Sequence, residues 1–595
     1  MLETRVIECD LCVVGGGISG MCAAISAARH GAKTVLMHER PMLGGNASSE
    51  IRMWISGAGA ANMETGIIQE IEIENFYRNP TKNYHIWDSI LYDFVKREEN
   101  ITLLLNCSCM DATCEDGDFE YGRSRRITSV KGYQMTTQRF IEVKAKYFAD
   151  CSGDSILAPL TDAKFMRGRE AKDAFGEATH VEKKDDLTMG MSCLITGRET
   201  NREVEFIPSE RITKLNDEHF KFRTPDMKAE HENFWYLELG GNRDSIGDTE
   251  EVRDELIGLA LGTWDYIKNS GNYDYCKTYD LDFLGFLPGK RESRRMTGEY
   301  IINSNDILGD RQFDDVVAYG GWPVDDHYPD GFYHKGTPNT DFKTPPCYQI
   351  PYRCLYSANI DNLFFAGRNI SASHMALSST RVMRTCGLLG QAVGTAASIA
   401  TKYGLCPHGV YESKLEELQN TLMNDDCFLP TKSRVISQAC KDAAISGADD
   451  SIRDGVDRVN VKVYGNTTCG VSVKNGESIT YTLACPEYVE SAHVVFDCDL
   501  ERKTMPGGWC ERTHAQRANV WLDSPQFSTP APLCKSYTLE IVDENGKVEK
   551  ISCEEKNILR AIDVKIGKKI KNLTLTVNGN WGEDESTNVF SFDFR

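Results

Sequence analysis

The sequence predicts an α/β protein with a split Rossmann-like dinucleotide-binding domain and a separate all-β domain at its end. Three observations predict this fold class: a strand that runs into a glycine-rich loop at 15–20, a second glycine motif near residue 367, and a change to period-2 alternation after about residue 455. The 595 residues, of which 41% are hydrophobic and 26% charged, suffice for roughly two to four globular domains.

The first motif is a strand that ends in three spaced glycines. Residues 9–14 read as a buried strand, and Gly15, Gly17 and Gly20 follow it. Gly15 permits a tight strand-to-helix turn, Gly17 lets the backbone approach a pyrophosphate, and Gly20 lets the helix pack closely on the strand. The helix N-terminus adds unpaired N–H groups and a partial positive charge. The motif predicts phosphate binding; the alternative is a tight turn with a structural role only.

The elements after this loop complete the first half of a nucleotide-binding domain. An Ala-rich helix (21–30) leads to a second strand (33–37), and Glu39 stands at the end of that strand. An acidic residue at this place accepts hydrogen bonds from an adenosine ribose. The pattern therefore predicts a bound dinucleotide and leaves open which one.

Helical and strand patterns then alternate as far as a small-residue turn at 150–154. A Gly/Ala/Ser-rich loop (41–60) precedes a stretch of helical periodicity (63–100), a strand (101–105) and a hairpin-like stretch (127–148). The order is that of a nucleotide-binding domain with its third strand ending at the turn.

The middle of the chain predicts an insertion into this domain. Residues 160–350 mix strands with a helix at 249–269 and are rich in aromatic residues. A strand at 363–365, the second glycine motif at Gly367 and a small-residue helix at 387–401 then restore the nucleotide-domain pattern.

The last part of the chain predicts a β-sandwich of roughly 140 residues, because short alternating segments are separated by Gly, Asn and Pro turns. The expected strands are 459–463, 478–483, 492–497, 536–542, 562–566 and 573–577. The whole chain is therefore predicted to form a nucleotide-binding domain (1–160 and 351–430), an inserted substrate-binding α+β domain (161–350) and a C-terminal β domain (431–595).

Composition narrows the classes of partner. The net charge of −21 disfavours nucleic acid, which is bound through clustered Lys and Arg, and argues against an anionic membrane surface. No stretch of about 20 apolar residues is present. The 21 cysteines are scattered without iron–sulfur or zinc spacing, so we expect no metal site and a reduced, cytoplasmic protein.

The split plan with two glycine motifs resembles glutathione-reductase-type flavoproteins, and this favours FAD over NAD. Residues 8–430 are similar to a large, mostly uncharacterised family of FAD-dependent oxidoreductases, on motifs that occur in the same order. These motifs are 44–50, 149–154, 291–295, 320–327, 362–371, 381–386 and 390–394. The C-terminal region resembles a discoidin or galactose-binding jelly roll, for which we weigh glycan binding against packing on the catalytic domain or on a second subunit.

The resemblance implies an FAD site with the pyrophosphate on the first glycine loop, the ribose on Glu39 and the adenine near the backbone of Cys109. It also implies that the helix beginning near Cys386 and Gly387 points its positive end at the flavin C2 carbonyl; the alternative is that its small residues only pack tightly. The full set of implied FAD-binding residues is Gly15, Gly17, Ile18, Ser19, Gly20, Glu39, Arg40, Gly45, Asn46, Ser48, Cys109, Gly153, Asp154, Gly367, Arg368, Cys386, Gly387 and Gln391.

Four residues are candidates for catalysis. His327 follows two acids and could transfer a proton, and its alternative is a surface-loop histidine. His374 could be an acid, a packing group or a site of covalent flavin attachment. Arg381 and Arg295 could each clamp a substrate carboxylate, or instead contact phosphate or form ion pairs within the domain.

These observations predict an FAD-dependent oxidoreductase that transfers a hydride between flavin N5 and a small polar organic substrate, with a carbohydrate-like alcohol preferred. One alternative is a reductase of an activated C=C bond, an enoate. Another is a glycan-binding protein with a vestigial flavin. The electron donor or acceptor is unknown, and a homo-oligomer is left open.

Overall fold

The computed structural model describes residues 2–178 and 181–595, and the chain divides into two compact units. Unit 1 comprises Met1–Ala58, Thr81–Leu418 and Gly507–Pro525. Unit 2 comprises Gly59–Pro80, Gln419–Pro506 and Gln526–Arg595. The three predicted domain ranges stay a prediction. The sequence did not indicate that 59–80 groups with the last part of the chain, or that 507–525 groups with the first.

Secondary structure covers both units. The strands are β1 (Thr4–Val14), β2 (Thr34–Met37), β3 (Ile101–Leu104), β4 (Cys107–Asp116), β5 (Arg125–Gln134), β6 (Arg139–Asp150), β7 (Phe165–Met166), β8 (Met191–Ser192), β9 (Ile195–Glu199), β10 (Glu238–Leu239), β11 (Tyr279–Leu284), β12 (Gly289–Lys290), β13 (Arg295–Met296), β14 (Val316–Gly320), β15 (Val324–His327), β16 (Asn339–Phe342), β17 (Tyr348–Pro351), β18 (Leu363–Phe365), β19 (Ala444–Ser446), β20 (Val471–Lys474), β21 (Ser478–Phe496), β22 (Cys534–Asp543), β23 (Val548–Glu554), β24 (Ala561–Asn580) and β25 (Ser586–Phe594). The helices are α1 (Ile18–Arg29), α2 (Ile67–Arg78), α3 (Tyr84–Lys96), α4 (Leu157–Thr161), α5 (Lys172–Phe175), α6 (Thr249–Asn269), α7 (Ser304–Leu308), α8 (His374–Thr380), α9 (Met383–Tyr403), α10 (Pro407–Asn424), α11 (Gln438–Asp442), α12 (Val461–Tyr464) and α13 (Trp509–Thr513).

The main sheet of unit 1 confirms the predicted Rossmann-type arrangement. Its order is β3-β2-β1-β6-β5-β4, with β18 also paired to β6. The pairs β1–β2, β2–β3, β1–β6 and β6–β18 are parallel. Apolar residues at the ends of β1 and β2 are buried because helices cover this part of the sheet. The carboxyl ends of these parallel strands carry the first glycine loop and Glu39.

Two helices pack on this sheet at unusually close range. A Cβ added at Gly390 of α9 would lie 2.0 Å from the Ser19 carbonyl oxygen of α1, and one at Gly394 would lie 2.2 Å from that of Ala23. The small residues of α9 are therefore needed for packing. The predicted start of this helix near residue 387 is wrong: α9 begins at Met383, because nothing after the extended Val382 breaks the helix, and Cys386 and Gly387 lie inside it.

The remainder of unit 1 surrounds an aromatic core. Helix α6 has the predicted bounds of 249–269 and packs its buried face against Phe220, Phe234 and Phe332. A short two-stranded ribbon, β15 with β16, follows the β14 strand and is paired in register from Val324 to His327. This ribbon positions the charged residues described below.

Unit 2 is built on one antiparallel sheet. Its order is β20-β25-β21-β24-β22-β23, with β19 paired to β21. The buried residues of these strands form a continuous apolar core, to which α2 contributes Ile73. The antiparallel all-β architecture agrees with the sequence, whereas the jelly-roll topology stays a prediction.

Three expectations for this sheet are wrong in detail. Residues 461–464 form the short helix α12 rather than a strand. The segments predicted as strands at 478–483 and 492–497 belong to one strand, β21, and those at 562–566 and 573–577 belong to β24. The turn residues between them do not end the strands because they sit in register shifts of the β21–β24 ladder, next to Pro486 and Gly567.

Candidate active site

The first glycine loop has the geometry that its spacing predicts. Gly15 has φ +107°, and a Cβ there would lie 2.4 Å from the Cys151 carbonyl oxygen. A Cβ at Gly20 would lie 1.8 Å from the Gly15 oxygen. Gly17 differs, because its Cβ would come no closer than 3.9 Å to the next atom, the Cα of Gly45. Two of the glycines are therefore needed for packing, and the third leaves backbone open to a ligand.

Helix α1 presents its N-terminus at this open position. Its N-cap is Gly17, which makes no side-chain cap, and the buried Ile18 and Ser19 form the first turn. Uncapped N–H groups and the helix dipole make such an end suitable for a phosphate group.

A second loop lies directly beside the first. Gly44 donates its N–H to the Gly16 carbonyl at 2.9 Å, and Gly44 and Gly45 have φ of +102° and +61°. The Asn46 amide donates to the Lys290 carbonyl at 3.1 Å, while the Ser48 hydroxyl donates to the Gly45 carbonyl at 2.8 Å. The structure thus brings the predicted residues 45, 46 and 48 to the glycine loop, and it uses the Ser48 hydroxyl within the loop itself.

Two charged residues follow β2 at the same edge. Burial alone would raise the pKa of Glu39, but His38 and Arg40 lower it to about 2, so this carboxylate is ionised. The Arg40 Nη2 atom lies 3.7 Å from the Cβ position of Gly45. The Arg40 Nε and Nη1 atoms are buried without a hydrogen-bond partner in the described structure. These two atoms lie 3.5 Å from the Glu39 carboxylate and 3.6 Å from the Glu50 carboxylate, so Arg40 pairs with both acids beside Gly45 without a hydrogen bond to either.

The second half of the predicted site meets the first at Gly367. This residue has φ +111°, and its Cβ position lies 2.8 Å from the Ser19 hydroxyl of α1. The neighbouring Arg368 contacts Gly153 and donates to Asp154 at 2.6 Å. Burial would raise the pKa of Asp154, but Arg368 and Lys290 lower it to about 2. Asp154 and Arg368 are therefore joined as a structural ion pair at the border of the site.

The remaining predicted residues lie on the surrounding elements. The N–H of Cys107 donates to the His38 carbonyl at 2.8 Å, so β4 begins beside the end of β2, two residues before Cys109. Cys386 is buried in the first turn of α9, with its thiol 3.4 Å from the Arg381 carbonyl. Gln391 is buried farther along the same helix.

Strand β15 carries an acid–acid–histidine sequence whose side chains point to two sides. On one side, His374 lies between two carboxylates, with Nδ1 2.9 Å from Glu292 and Nε2 3.0 Å from Asp326. Arg295 completes this His374 cluster, with Nη1 2.6 Å from Glu292. Burial would lower the pKa of His374, but Glu292 and Asp326 raise it to about 10. This imidazole is cationic at neutral pH.

The other side of β15 holds the second cluster, the His327 cluster. His327 Nδ1 lies 2.6 Å from Glu238, and its Nε2 lies at a looser 3.4 Å from Asp325. Arg381 donates to Asp325 at 3.2 Å, and Arg291 lies 3.4 Å from Glu238. Burial would lower the pKa of His327, and Glu238 and Asp325 outweigh it and raise the pKa. His327 is buried, not a surface-loop residue.

Arg295 and Arg381 differ in how far their guanidinium groups are open to a substrate. Arg295 is fully buried and is held by Glu292, Glu170 and the Gly168 carbonyl. This is the ion-pairing alternative weighed from the sequence. The Nε atoms of Arg295 and Arg381 are both buried without a hydrogen-bond partner among the described residues. The Arg381 side chain is 13% exposed and that of Arg295 1%, so Arg381 is the one that a substrate can reach.

The sequence did not indicate the segment 507–525 or the buried Glu238. In unit 1 the His514 ring lies 4.6 Å from that of Trp54, and Arg384 donates to the Thr513 carbonyl. Glu238 stands in an aromatic stretch that reads as core. The signal for 507–525 is weak: it is a long interval without period-2 alternation inside the β region.

Comparison with known proteins identifies the family. The family model described as FAD dependent oxidoreductase matches residues 10–422, more than half of the chain. The chain belongs to this family of FAD-dependent oxidoreductases. No curated protein sequence matches it. In the described part of the chain, no helix is long and apolar enough to cross a membrane.

Solved structures that resemble this FAD-dependent oxidoreductase include a geranylgeranyl bacteriochlorophyll reductase-like protein from Thermoplasma acidophilum, with 11% identity, TM-score 0.31, and coverage of 71% of this chain and 84% of that one. Another is p-nitrophenol 4-monooxygenase from Pseudomonas putida, with 11% identity, TM-score 0.30, and coverage of 71% and 86%. A Clostridium perfringens protein in complex with a GlcNAc-α-1,4-galactose disaccharide has 12% identity and TM-score 0.17, and the match covers 27% of this chain and 96% of that one. TM-scores of this size carry no functional argument.

The residues present fit the cofactor that the family uses. The open Gly17 backbone, the uncapped start of α1 and the unsatisfied Arg40 donors lie together, as a pyrophosphate requires. Glu39 stands ionised at the end of the second parallel strand, where the adenosine ribose is recognised in this fold class.

Proposed function

We propose that this FAD-dependent oxidoreductase transfers a hydride between flavin N5 and a carbon of a small, polar, carbohydrate-like substrate. The observation that carries the proposal is the His327 cluster, in which the buried imidazole holds Asp325 only at 3.4 Å and the neighbouring Arg381 has an Nε without a hydrogen-bond partner among the described residues. The cluster lies beside the start of α9, since Arg381 comes one residue before Val382, the N-cap of that helix, and donates to Asp325 of β15.

FAD supplies the hydride chemistry at N5 when it is bound. The chain supplies the proton and holds the substrate oxygen. His327 Nε2–H, only loosely held by Asp325, can donate to a carbonyl or alkoxide oxygen. The Arg381 Nε–H can stabilise negative charge that develops on the same oxygen. Glu238 orients His327 through Nδ1 and raises its pKa, which favours the protonated form.

We further propose that the pyrophosphate lies between Gly17, Gly45 and Arg40, with the ribose at Glu39. The start of α9 supports a position facing the flavin, because Val382 provides no side-chain cap there. His374 is assigned a positioning role, since both of its ring nitrogens lie within 3.0 Å of a carboxylate, whereas His327 Nε2 lies 3.4 Å from Asp325.

One observation favours reduction of an enoate as a second candidate. Arg291 and Arg381 bring two guanidinium groups to one cluster, and arginine pairs are suited to bidentate binding of a carboxylate. In that reaction His327 would protonate carbon instead of oxygen.

Anaerobic spectroscopy tests the proposal and separates the candidates. Holoenzyme is mixed with sugars and cyclitols, and bleaching of the flavin absorbance is expected with at least one of them. Photoreduced enzyme is then mixed with a keto-sugar or with fumarate. Reoxidation by the keto-sugar supports the proposal, whereas reoxidation by fumarate alone overturns it in favour of the enoate reductase.

A further inference from the structure

We infer that Asn339 and Asp341 of strand β16 are positioning residues for His327. They hold Asp325 in a pair of carboxylates that shares one proton, and so leave the His327 Nε2–H available to a substrate. The inference deepens the proposed function and rests on it for the word substrate. The carboxylate pair itself stands on separate observations, all within unit 1.

The ribbon of β15 and β16 brings the two acids face to face. Asp325 is paired in register with Asp341, and His327 is paired with Asn339. Residues two apart on a strand, and residues directly opposite on its partner, point to the same side of the ribbon. The four side chains therefore share the His327 side of β15.

One amide bridges the two acids. The Asn339 Nδ2 group donates to Asp325 Oδ1 at 2.6 Å and to Asp341 Oδ1 at 3.1 Å. Two carboxylates that accept from the same nitrogen lie side by side, and like charges so close together favour a proton on one of them. The bridge thus creates a site for one proton.

The surroundings decide which acid takes this proton. Burial would raise the pKa of Asp325, but His327 and Arg381 lower it, so Asp325 stays ionised. Asp341 is the more exposed member of the pair. Partial burial and the Asp325 charge raise the pKa of Asp341. The proton that the pair takes up therefore sits on Asp341, where it exchanges with solvent.

Asn339 also competes with His327 for Asp325. The contact of Asp325 with Asn339 is 2.6 Å long, whereas that with His327 Nε2 is 3.4 Å. The residue opposite the next acid offers no such bridge: Asp326 is paired with Thr340, which has neither an amide nor a charge, and Asp326 lies 3.0 Å from His374 Nε2. The residues of β16 thus differ in the same way as the two histidine contacts.

The other charged groups around His327 come from four elements. Their positions are Glu238 on β10, Arg291 directly after β12, Asp326 on the opposite face of β15, and Arg381 at the end of α8, which reaches the cluster through Asp325. All of them are unchanged in the variants below, so a shift in the titration of His327 reports the residues of β16.

The carboxylate pair is measured by infrared spectroscopy of the oxidised holoenzyme, without turnover. The C=O stretch of protonated carboxyl groups is followed from about pH 4 to pH 8. Each spectrum is corrected by that of the same protein carrying Asp341→Asn, which isolates Asp341. We expect a midpoint above the ordinary aspartate value of about 3.9. Asn339→Ala should shift it upward, because both carboxylates lose a donor. No titration above the ordinary value, or a midpoint that Asn339→Ala leaves unchanged, overturns the inference.

Stopped-flow reoxidation of photoreduced enzyme by a keto-sugar measures the effect on His327. Asn339→Ala frees Asp325 to accept from Nε2, so His327 should hold its proton more tightly. We expect a rate about 10-fold lower, the size of one hydrogen bond to a charged group, and a fall in rate that begins at higher pH. An unchanged rate and pH midpoint overturn the inference.

Asp341→Asn should act in the opposite direction on the pH profile. It keeps a donor beside Asp325 and removes a negative charge near His327, so we expect the wild-type rate on the acidic plateau and a fall that begins at lower pH. A general loss of structure would not move the midpoints of Asn339→Ala and Asp341→Asn in opposite directions. Movement of both midpoints in the same direction overturns the inference.

Thr340→Val is the matched control. Thr340 lies between the two proposed residues on β16 and points to the other side of the ribbon. This variant should leave the rate, the pH midpoint and the infrared titration unchanged. Equal effects in Thr340→Val and Asn339→Ala overturn the inference, provided that both variants retain the FAD absorbance.

The readouts separate failure of this inference from failure of the proposed function. The expected infrared midpoints, without reoxidation by a keto-sugar, support the carboxylate pair and contradict the function. Reoxidation by a keto-sugar with the same rate and pH midpoint in Asn339→Ala and wild type supports the function and contradicts the inference.

Discussion

The two sides of strand β15 carry almost the same set of charged residues. They differ in how tightly those residues hold one another and in how far a substrate can reach them. On each side a buried histidine lies between two carboxylates and an arginine binds one of the acids. In the His374 cluster both ring contacts are 3.0 Å or shorter. In the His327 cluster one contact is 3.4 Å, and the Arg381 side chain is 13% exposed against 1% for Arg295.

This difference shows that burial and charge do not by themselves mark a catalytic residue. Both histidines have a raised pKa for the same reason, a pair of carboxylates. Structural ion-pair networks perturb pKa values as active sites do. What separates the clusters is the looser hold on one ring nitrogen of His327 and the greater exposure of Arg381 than of Arg295.

Replacing the two histidines gives the largest expected contrast. His327→Gln should slow the reaction of photoreduced enzyme with its substrate by about 100-fold or more, the usual range for loss of a general acid. His374→Gln should change that rate by less than about 5-fold and lower the melting temperature instead. Stopped-flow flavin absorbance measures both variants. Equal slowing in the two variants would contradict the assignment.

The two arginines provide the next contrast. Arg381→Lys keeps the charge but removes the Nε–H, so we expect KM or the rate to worsen about 10-fold with little loss of stability. Arg295→Lys should instead destabilise unit 1, because a buried guanidinium with several partners is lost. Steady-state kinetics and thermal melts of the same preparations decide. A kinetic defect in Arg295→Lys alone would contradict this assignment and would place the substrate contact at Arg295 instead of Arg381.

The pH dependence of stability should carry the signature of His374. Its pKa in the folded protein is about 10, above the unfolded value of about 6.5, so its stabilising contribution is complete below pH 6.5 and is lost as the pH rises through 10. The difference in melting temperature between wild type and His374→Gln should therefore shrink from pH 6 to pH 10. A constant difference would show that the folded protein does not hold this proton.

His514 gives the smallest expected effect. Its pKa is lowered in the folded protein, whereas that of His374 is raised, so the stability contribution of His514 changes in the opposite direction with pH. Burial, together with the nearby charges of Arg384 and Lys82, lowers the pKa to about 3. Its neutral form is stable in the fold above pH 6.5, and stability is lost as the pH falls toward 3. His514→Phe should therefore lose less stability than wild type between pH 7 and pH 4, by a few degrees in melting temperature. Parallel acid titrations would refute a neutral His514.

The sequence predicted those parts of the site whose determinants are close in the chain. The glycine loop, α1, β2 and Glu39 stand within about 25 residues of one another, and the spacing of Gly15, Gly17 and Gly20 encodes the turn directly, although Gly15 also packs against the distant Cys151. The placement of Asp326 and His327 on opposite faces of strand β15 was not predicted, because the sequence was interpreted as a loop there.

The partners of the two histidines could not be predicted, because they come from distant positions. Glu238 lies 89 residues before His327, and Glu292 lies 82 residues before His374. A buried Glu238 next to aromatic residues gives no sign of its partner until the fold is known. The prediction of strand ends in the β region was wrong for a related reason. Proline and glycine usually end short strands, but the pairing of β21 with β24 continues on both sides of the register shifts next to Pro486 and Gly567.

The placement of residues 507–525 in unit 1 has a consequence for how the chain is made. The ribosome synthesises the glycine loop first, and it completes unit 1 only when residue 525 has been added, after strand β21 of the other unit. Unit 1 therefore remains incomplete while about a hundred further residues beyond 418 are synthesised. A chain that stops near residue 430 lacks part of unit 1, so truncation at the apparent domain boundary removes residues 507–525 of that unit together with the β sheet.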